Sequence, residues 1–148
     1  MSYILVDTCV FLRLPTAYEE TLDCIMKVSD VIALTKQILK EYEGRASASR
    51  LVLQAFLEDL NQKDKIQYFR ASVVTAAHRR RRRARATNYP LHRKDRMWID
   101  TAIAVGATYI VSTNDHLLRL RANRSDGGTV EAIDPFEYKE IRCPNKAD

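Results

Sequence analysis

Five short runs rich in apolar and β-branched residues punctuate the chain, and helix-length amphipathic segments separate them. The runs are residues 3–6, 31–34, 65–69, 108–112 and 129–133, and their length and composition predict buried strands. Helices are expected over 18–28, 36–43, 46–60, 72–86 and 96–105. Strands joined through helices need crossover connections, and right-handed crossovers place helices on both faces of a parallel sheet. The expected fold class is therefore α/β, a three-layer α/β/α sandwich around a central parallel sheet.

Local signals refine this frame. Thr35 is an expected N-cap for the helix that follows it, and Gly44 an expected stop. Leu51, Leu53, Phe56, Leu57 and Leu60 are expected on one apolar stripe. Asp95 is an expected N-cap for 96–105, which Gly106 ends. A short helix is expected over 116–121, a turn over 125–128, and a last helix after Asp134 and Pro135. At 148 residues the chain has one domain's length. The reading is a single domain over 1–143 and a frayed tail over 144–148.

Composition limits the class further. With 46% hydrophobic and 29% charged residues, a disordered or fibrous chain is excluded. No apolar run reaches the roughly 20 residues that cross a bilayer. The first residues carry no basic region and meet Asp7, which argues against a secretory signal. Cys9, Cys24 and Cys143 are odd in number and far apart, so unpaired thiols and a cytoplasmic setting are expected.

The charge is concentrated. Between residues 78 and 96 stand nine basic side chains, Arg79, Arg80, Arg81, Arg82, Arg83, Arg85, Arg93, Lys94 and Arg96, against one acid, Asp95. The whole chain carries only +5, so the remainder is net negative. Arginine's planar fork suits phosphate oxygens, and five consecutive arginines repel one another unless an anion lies among them. A nucleic-acid contact is the reading that accounts for the run; a solvated helix face or a flexible loop is the plainer one, and a partner protein or a membrane surface is a third.

Acids follow the strands. Asp7 and Thr8 come directly after the first, and Thr113, Asn114 and Asp115 after the fourth. Glu41 lies on the helix after the second, where Glu43 competes with it, and Asp95 opens the helix before the fourth. In an open α/β sheet the ligand site lies beyond the carboxyl ends of the strands. Four carboxylates meeting there repel, unless a cation lies among them or their pKa values rise. Oxygen-only donors favour a hard cation, Mg²⁺ or Mn²⁺, which can activate water for hydrolysis at phosphorus. Asp100 is an accessory candidate, and Thr8, Thr113 and Asn114 could orient the carboxylates. Each acid also has a plainer role as a cap or a solvated side chain.

The stretches 6–12, 39–42, 95–102 and 110–115 together resemble the four acidic motifs of PIN-domain nucleases, in the family's order and at about its spacing. The resemblance spans almost the whole chain. It implies an α/β/α fold, Mg²⁺- or Mn²⁺-dependent cleavage of RNA and frequent homodimers. Many small members are VapC-type toxins held inactive by a cognate antitoxin. Carried over by position, Asp7, Glu41, Asp95 and Asp115 form the acidic quartet, with Thr8 and Thr113 as polar companions. The five-arginine run is not a hallmark of the family and points to a particular RNA partner.

The expected function is thus a metal-dependent endoribonuclease, with no membrane partner. The alternative is a PIN-like module that binds RNA through its arginine segment and cuts nothing. A haloacid-dehalogenase-type phosphatase needs Asp-x-Asp, which Asp7-Thr8-Cys9 lacks. A receiver-like domain needs paired acids after its first strand. Trp98 is expected in the core, and Cys9 in an apolar run without a nucleophile's partners.

Overall fold

All five expected strands form, and a sixth joins them. In the computed structural model, which describes residues 2–46, 49–75, 93–124 and 126–144, they are β1 (Tyr3–Val6), β2 (Val31–Thr35), β3 (Ile66–Phe69), β4 (Ala107–Val111), β5 (Arg121–Asn123) and β6 (Thr129–Ile133). The helices are α1 (Thr8–Phe11), α2 (Glu19–Lys27), α3 (Lys36–Ala46), α4 (Arg50–Gln62), α5 (Arg93–Val105) and α6 (Pro135–Arg142). Residues 71–75 are also helical; the rest of the helix expected over 72–86 and the arginines from 79 to 85 lie outside the described residues.

The sheet runs in the order β3-β2-β1-β4-β6-β5. Every pairing is parallel except β5 with β6. The sheet is therefore mixed, which corrects the expectation of a parallel one. The expected helix over 116–121 is also corrected: residues 115–119 form turns, and Arg121 begins β5. Arg119 has a positive φ of 68°, which a right-handed helix cannot accommodate. The turn at Gly127 and Gly128 then lets β5 fold back on β6 as a hairpin.

Other local signals hold or shift for identifiable reasons. Thr35 Oγ1 accepts from the Ile38 amide at 3.2 Å, the capping contact expected of it. α3 nevertheless passes through Gly44 and ends at Ala46, whose side chain is buried. In α4, Leu53, Leu57 and Leu60 face the core at helical spacing. Leu51 is 83% exposed, because two residues' separation turns it about 200° from Leu53. α5 starts at Arg93, so Asp95 lies in its first turn and is not its N-cap.

One apolar cluster includes Ile4–Val6 of β1, Ile32–Leu34 of β2, Ala107, Ile110 and Val111 of β4, and inward residues of α3, α4 and α5. α1, α3 and α4 pack on one another, as do α2 and α6, while α5 lies against β1 and β4. This arrangement is consistent with a three-layer α/β sandwich. No helix among the described residues is long and apolar enough to cross a membrane.

Cys24 in α2 and Cys143 after α6 form a disulfide, with Cα atoms 5.9 Å apart and a sequence separation of 119. This corrects the expectation of three unpaired thiols. Their separation in sequence hid a proximity that arises when α6 docks on α2. The pairing also removes the support that unpaired cysteines lent to a reducing compartment. Dithiothreitol, or Cys143→Ser, is expected to cost about 3 kcal/mol and lower the thermal midpoint by roughly 10 °C. An unchanged midpoint would mean that packing alone secures α6.

Candidate functional site

The chain winds outward from β1 to β3 on one side of the sheet, while β4 and β6 lie on the other. The direction reverses between β1 and β4, and a crevice opens at the carboxyl ends of strands at such a point. The Asp7 amide donates to the Val111 carbonyl at 2.9 Å, which stitches the two strand ends together there.

Asp7 is only 8% exposed. It caps α1, accepting from the Thr8 amide at 2.7 Å. Its second carboxylate oxygen accepts from Ser112 Oγ, also at 2.7 Å. Ser112 Oγ in turn accepts from the Asn114 amide at 3.0 Å, and Asn114 Nδ2 donates to Asp95 at 3.0 Å. A continuous polar path thus links Asp7 after β1 to Asp95 on α5 through the segment after β4. Burial pushes the Asp7 carboxyl above its ordinary pKa, and the negative charges of Asp95 and Glu41 push the same way. The hydrogen bonds from Ser112 and Thr8 oppose that rise without cancelling it.

Glu41 reaches the site from α3. The neighbouring Tyr42 is fully buried, stacks on Phe11 with ring centroids 4.2 Å apart, and donates its hydroxyl to the Val6 carbonyl. Val6 immediately precedes Asp7, so this bond fixes α3 to the end of β1 and sets Glu41 beside Asp7. Burial and the charge of Asp7 both raise the Tyr42 pKa, which keeps its hydroxyl a donor.

A cavity of about 350 Å³ lies among these groups. Asp7, Thr8, Glu41, Asp95, Thr113 and Asn114 line it, as do Cys9, Arg45 and Trp98. Six of the residues expected at the site are thereby brought together, and Glu41 rather than Glu43 is the α3 acid that lines it. Asp115 is not among the lining residues; it is exposed in the turn after β4. Asp100 is buried on α5 outside the lining. Arg96 is exposed on α5. Only the backbone of Arg93 and Lys94 is described, as the start of that helix.

Three contributors differ from the sequence reading. Ser112 carries almost no signal in the sequence beyond a hydroxyl closing an apolar run, yet it is a direct partner of Asp7. Trp98 is in the core as expected, yet its edge also reaches the cavity. Cys9 is exposed and faces the cavity although it lies in an apolar run.

The three carboxylates of Asp7, Glu41 and Asp95, with the hydroxyl-bearing Thr8 and Thr113 beside them, offer oxygen donors that match a hard cation, although the Cys9 thiol and the Arg45 guanidinium line the same cavity. Thr8 Oγ1, beside Asp7, is buried with no hydrogen-bond partner among the described residues, an orphaned polar atom at the edge of the acidic site. Among the described residues no three acidic, histidine or cysteine side chains already stand at ion-ligating spacing. Asp7 is held by Ser112 and Asp95 by Asn114, and without a central positive charge the carboxylates repel. The chain matches no protein-family model, and none of the curated proteins matches it.

Proposed function

We propose that the protein is a Mg²⁺- or Mn²⁺-dependent endoribonuclease of PIN type, with the cavity between β1 and β4 as its active site. The observation that carries this reading is the convergence of Asp7, Glu41 and Asp95, from three different elements, on one cavity at the switch point of the sheet. Their order and spacing along the chain agree with the acidic motifs of that family, and the α/β fold with its largely parallel sheet suits it.

Asp7, Glu41 and Asp95 would hold the divalent ion. When bound, the ion activates water and neutralises charge developing on the phosphate. The remaining work falls to the chain itself. Ser112 holds the Asp7 carboxylate in one orientation, and Asn114 does the same for Asp95. Tyr42 fixes the backbone that carries Asp7. Thr8, whose hydroxyl is buried and unpartnered among the described residues, lines the cavity next to Asp7. The arginine-rich segment would grip the flanking phosphates. A toxin role with a protein antitoxin and a homodimer belong to the same proposal on the strength of the sequence resemblance.

The test is cleavage of end-labelled total RNA by the purified protein with Mn²⁺, with Mg²⁺ and with EDTA. Discrete products with either ion, abolished by EDTA, are expected. The concentrated arginine segment equally suits a second reading, a module that binds RNA without cutting it. Such a module would give salt-dependent binding through counterion release and no products with any ion.

The Ser112 hydroxyl gives a finer check. Ser112→Ala removes one of the two hydrogen bonds that orient the Asp7 carboxylate and is expected to lower cleavage by about 10- to 100-fold, as losing an orienting partner of a ligand does. It should weaken the apparent affinity for Mn²⁺ together with the rate. A rate equal to that of the parent protein would remove Ser112 from the machinery.

A further inference from the structure

A second cavity, of about 210 Å³, lies beside the acidic one. Its walls are chiefly apolar and come from Leu12 and Pro15 after α1 and from Val52, Leu53 and Phe56 on α4. Arg45, in the last turn of α3, lines both cavities. It forms no hydrogen bond or ion pair among the described residues, although Glu41 lies one helical turn before it on the same helix.

The chemistry of this pair of cavities is that of a nucleotide. An unpaired guanidinium between a carboxylate-lined site and an apolar hollow suits a phosphate that links the two. The hollow is smaller than the roughly 300 Å³ at which pockets begin to enclose a drug-sized molecule, so it suits a single flat ring system. Phe56 is half-buried, with its ring centroid 5.2 Å from that of Phe11 behind it. It lines the hollow with aromatic surface of the kind on which bases stack.

We propose that Arg45 and the hollow beside it form a subsite for the nucleotide next to the scissile phosphate. Arg45 contacts the phosphate, and Leu12, Val52 and Phe56 receive the base. This rests on the nuclease reading for which phosphate is cut, but base binding can be measured without cleavage. Because stacking reads a π face and not a hydrogen-bonding edge, the subsite requires a base without selecting strongly among bases.

The experiment measures anisotropy of 5′-fluorescein-labelled hexauridylate with the full chain in EDTA, beside hexamers abasic at each position in turn. Arg45→Ala and Val52→Glu are compared with Leu51→Glu. Both side chains at the subsite are exposed or at a helix end, so the variants should fold, which thermal melting verifies. Leu51 is exposed on the same helix outside the hollow, and controls for added negative charge.

Removing the base at one position is expected to weaken binding to the parent protein about tenfold. Arg45→Ala and Val52→Glu should each lose a similar factor, and Val52→Glu should no longer distinguish the abasic hexamer. Leu51→Glu should bind as the parent does. Equal binding by all variants, or an equal loss in Leu51→Glu, overturns the subsite. So does Val52→Glu that binds RNA normally but shifts a dimer to monomer in light scattering, which would make the hollow a protein interface. The same variants assayed for cleavage with Mn²⁺ separate the two ideas. Base-dependent binding without cleavage in any protein sinks the nuclease and keeps the subsite; cleavage indifferent to both substitutions does the reverse.

Discussion

Asp7→Asn is expected to lower RNA cleavage by at least about 10³-fold, equivalent to roughly 4 kcal/mol of lost transition-state stabilisation. Asparagine keeps the size of aspartate and one carbonyl oxygen, so Ser112 or the Thr8 amide retains a partner. It loses the negative charge, and with it most of the attraction for a divalent ion. The same change is expected to leave the fold at least as stable. Burial, together with the charges of Asp95 and Glu41, raises the Asp7 pKa, so its ionised form destabilises the folded state at neutral pH. A neutral side chain relieves that repulsion. Cleavage lost while the thermal midpoint holds or rises is the signature of a group kept for function at a cost in stability. Cleavage at the parent rate would end the proposed mechanism. Asp115→Asn makes the contrast: exposed and outside the cavity lining, Asp115 is expected to matter less. An equal loss there would mean that the segment after β4 draws inward when the ion binds.

The second large effect is on stability. Asp30, just before β2, is 1% exposed and accepts from Ser2 Oγ at 2.8 Å, Tyr138 Oη at 2.6 Å and Arg142 Nε at 2.9 Å. Arg142 Nη2 adds a further bond to its other oxygen at 3.1 Å, making the pair bidentate. Burial alone would raise the Asp30 pKa; the hydrogen bonds from Tyr138, Ser2 and Arg142, with the Arg142 charge, outweigh it and hold it below 3.8. Asp30→Ala leaves the Tyr138 hydroxyl and a partly buried guanidinium without their acceptor. The expected loss is about 3–5 kcal/mol, or roughly 10 °C in the thermal midpoint.

The pH dependence has a definite sign. A carboxylate whose folded-state pKa is depressed stabilises the fold above its unfolded value, near 3.8 here. That contribution falls away as the pH drops through the lower, folded value. Asp30→Ala should therefore lower the midpoint at neutral pH and flatten its fall under acid. A variant as stable as the parent at pH 7, measured by urea denaturation, would show that the network contributes nothing net. Asp30 and the Cys24–Cys143 disulfide both secure α6, so reducing the disulfide in Asp30→Ala should cost less or more than the sum of the two effects. Asp30 lies at the amino ends of the strands and Asp7 beyond the carboxyl end of β1, so the folded variant should keep its activity.

Much of the fold was legible because short-range chemistry decides it. Tyr3–Val6 is an apolar run between Ser2 and Asp7, and Thr129–Ile133 an alternating run between Gly128 and Asp134, and each forms a strand with those limits. Asp134 caps α6 through the Phe136 and Glu137 amides, as Asp-Pro before a helix predicts. The rule that ligands gather beyond strand ends points to Asp7, Glu41 and Asp95, which line one cavity, and equally to Asp115, which does not. β5 was not legible, since Arg121-Ala122-Asn123 carries little strand character and pairs only because β6 offers a free edge.

What the sequence determined by itself was the alternation of elements and the acids at their ends, for these depend on neighbours within a few residues. Tertiary structure alone decided which groups meet. Ser112 reaches Asp7 across 105 residues, Tyr42 reaches Val6 across 36, and Asp30 meets Tyr138 across 108. Cys24 joins Cys143, and Asp115 stays outside the cavity that Asn114 lines. Periodicity and capping carry no information about such distant pairs. They follow from the winding of the sheet, which brings strand ends together, and from burial, which leaves a polar group stable only where a partner arrives.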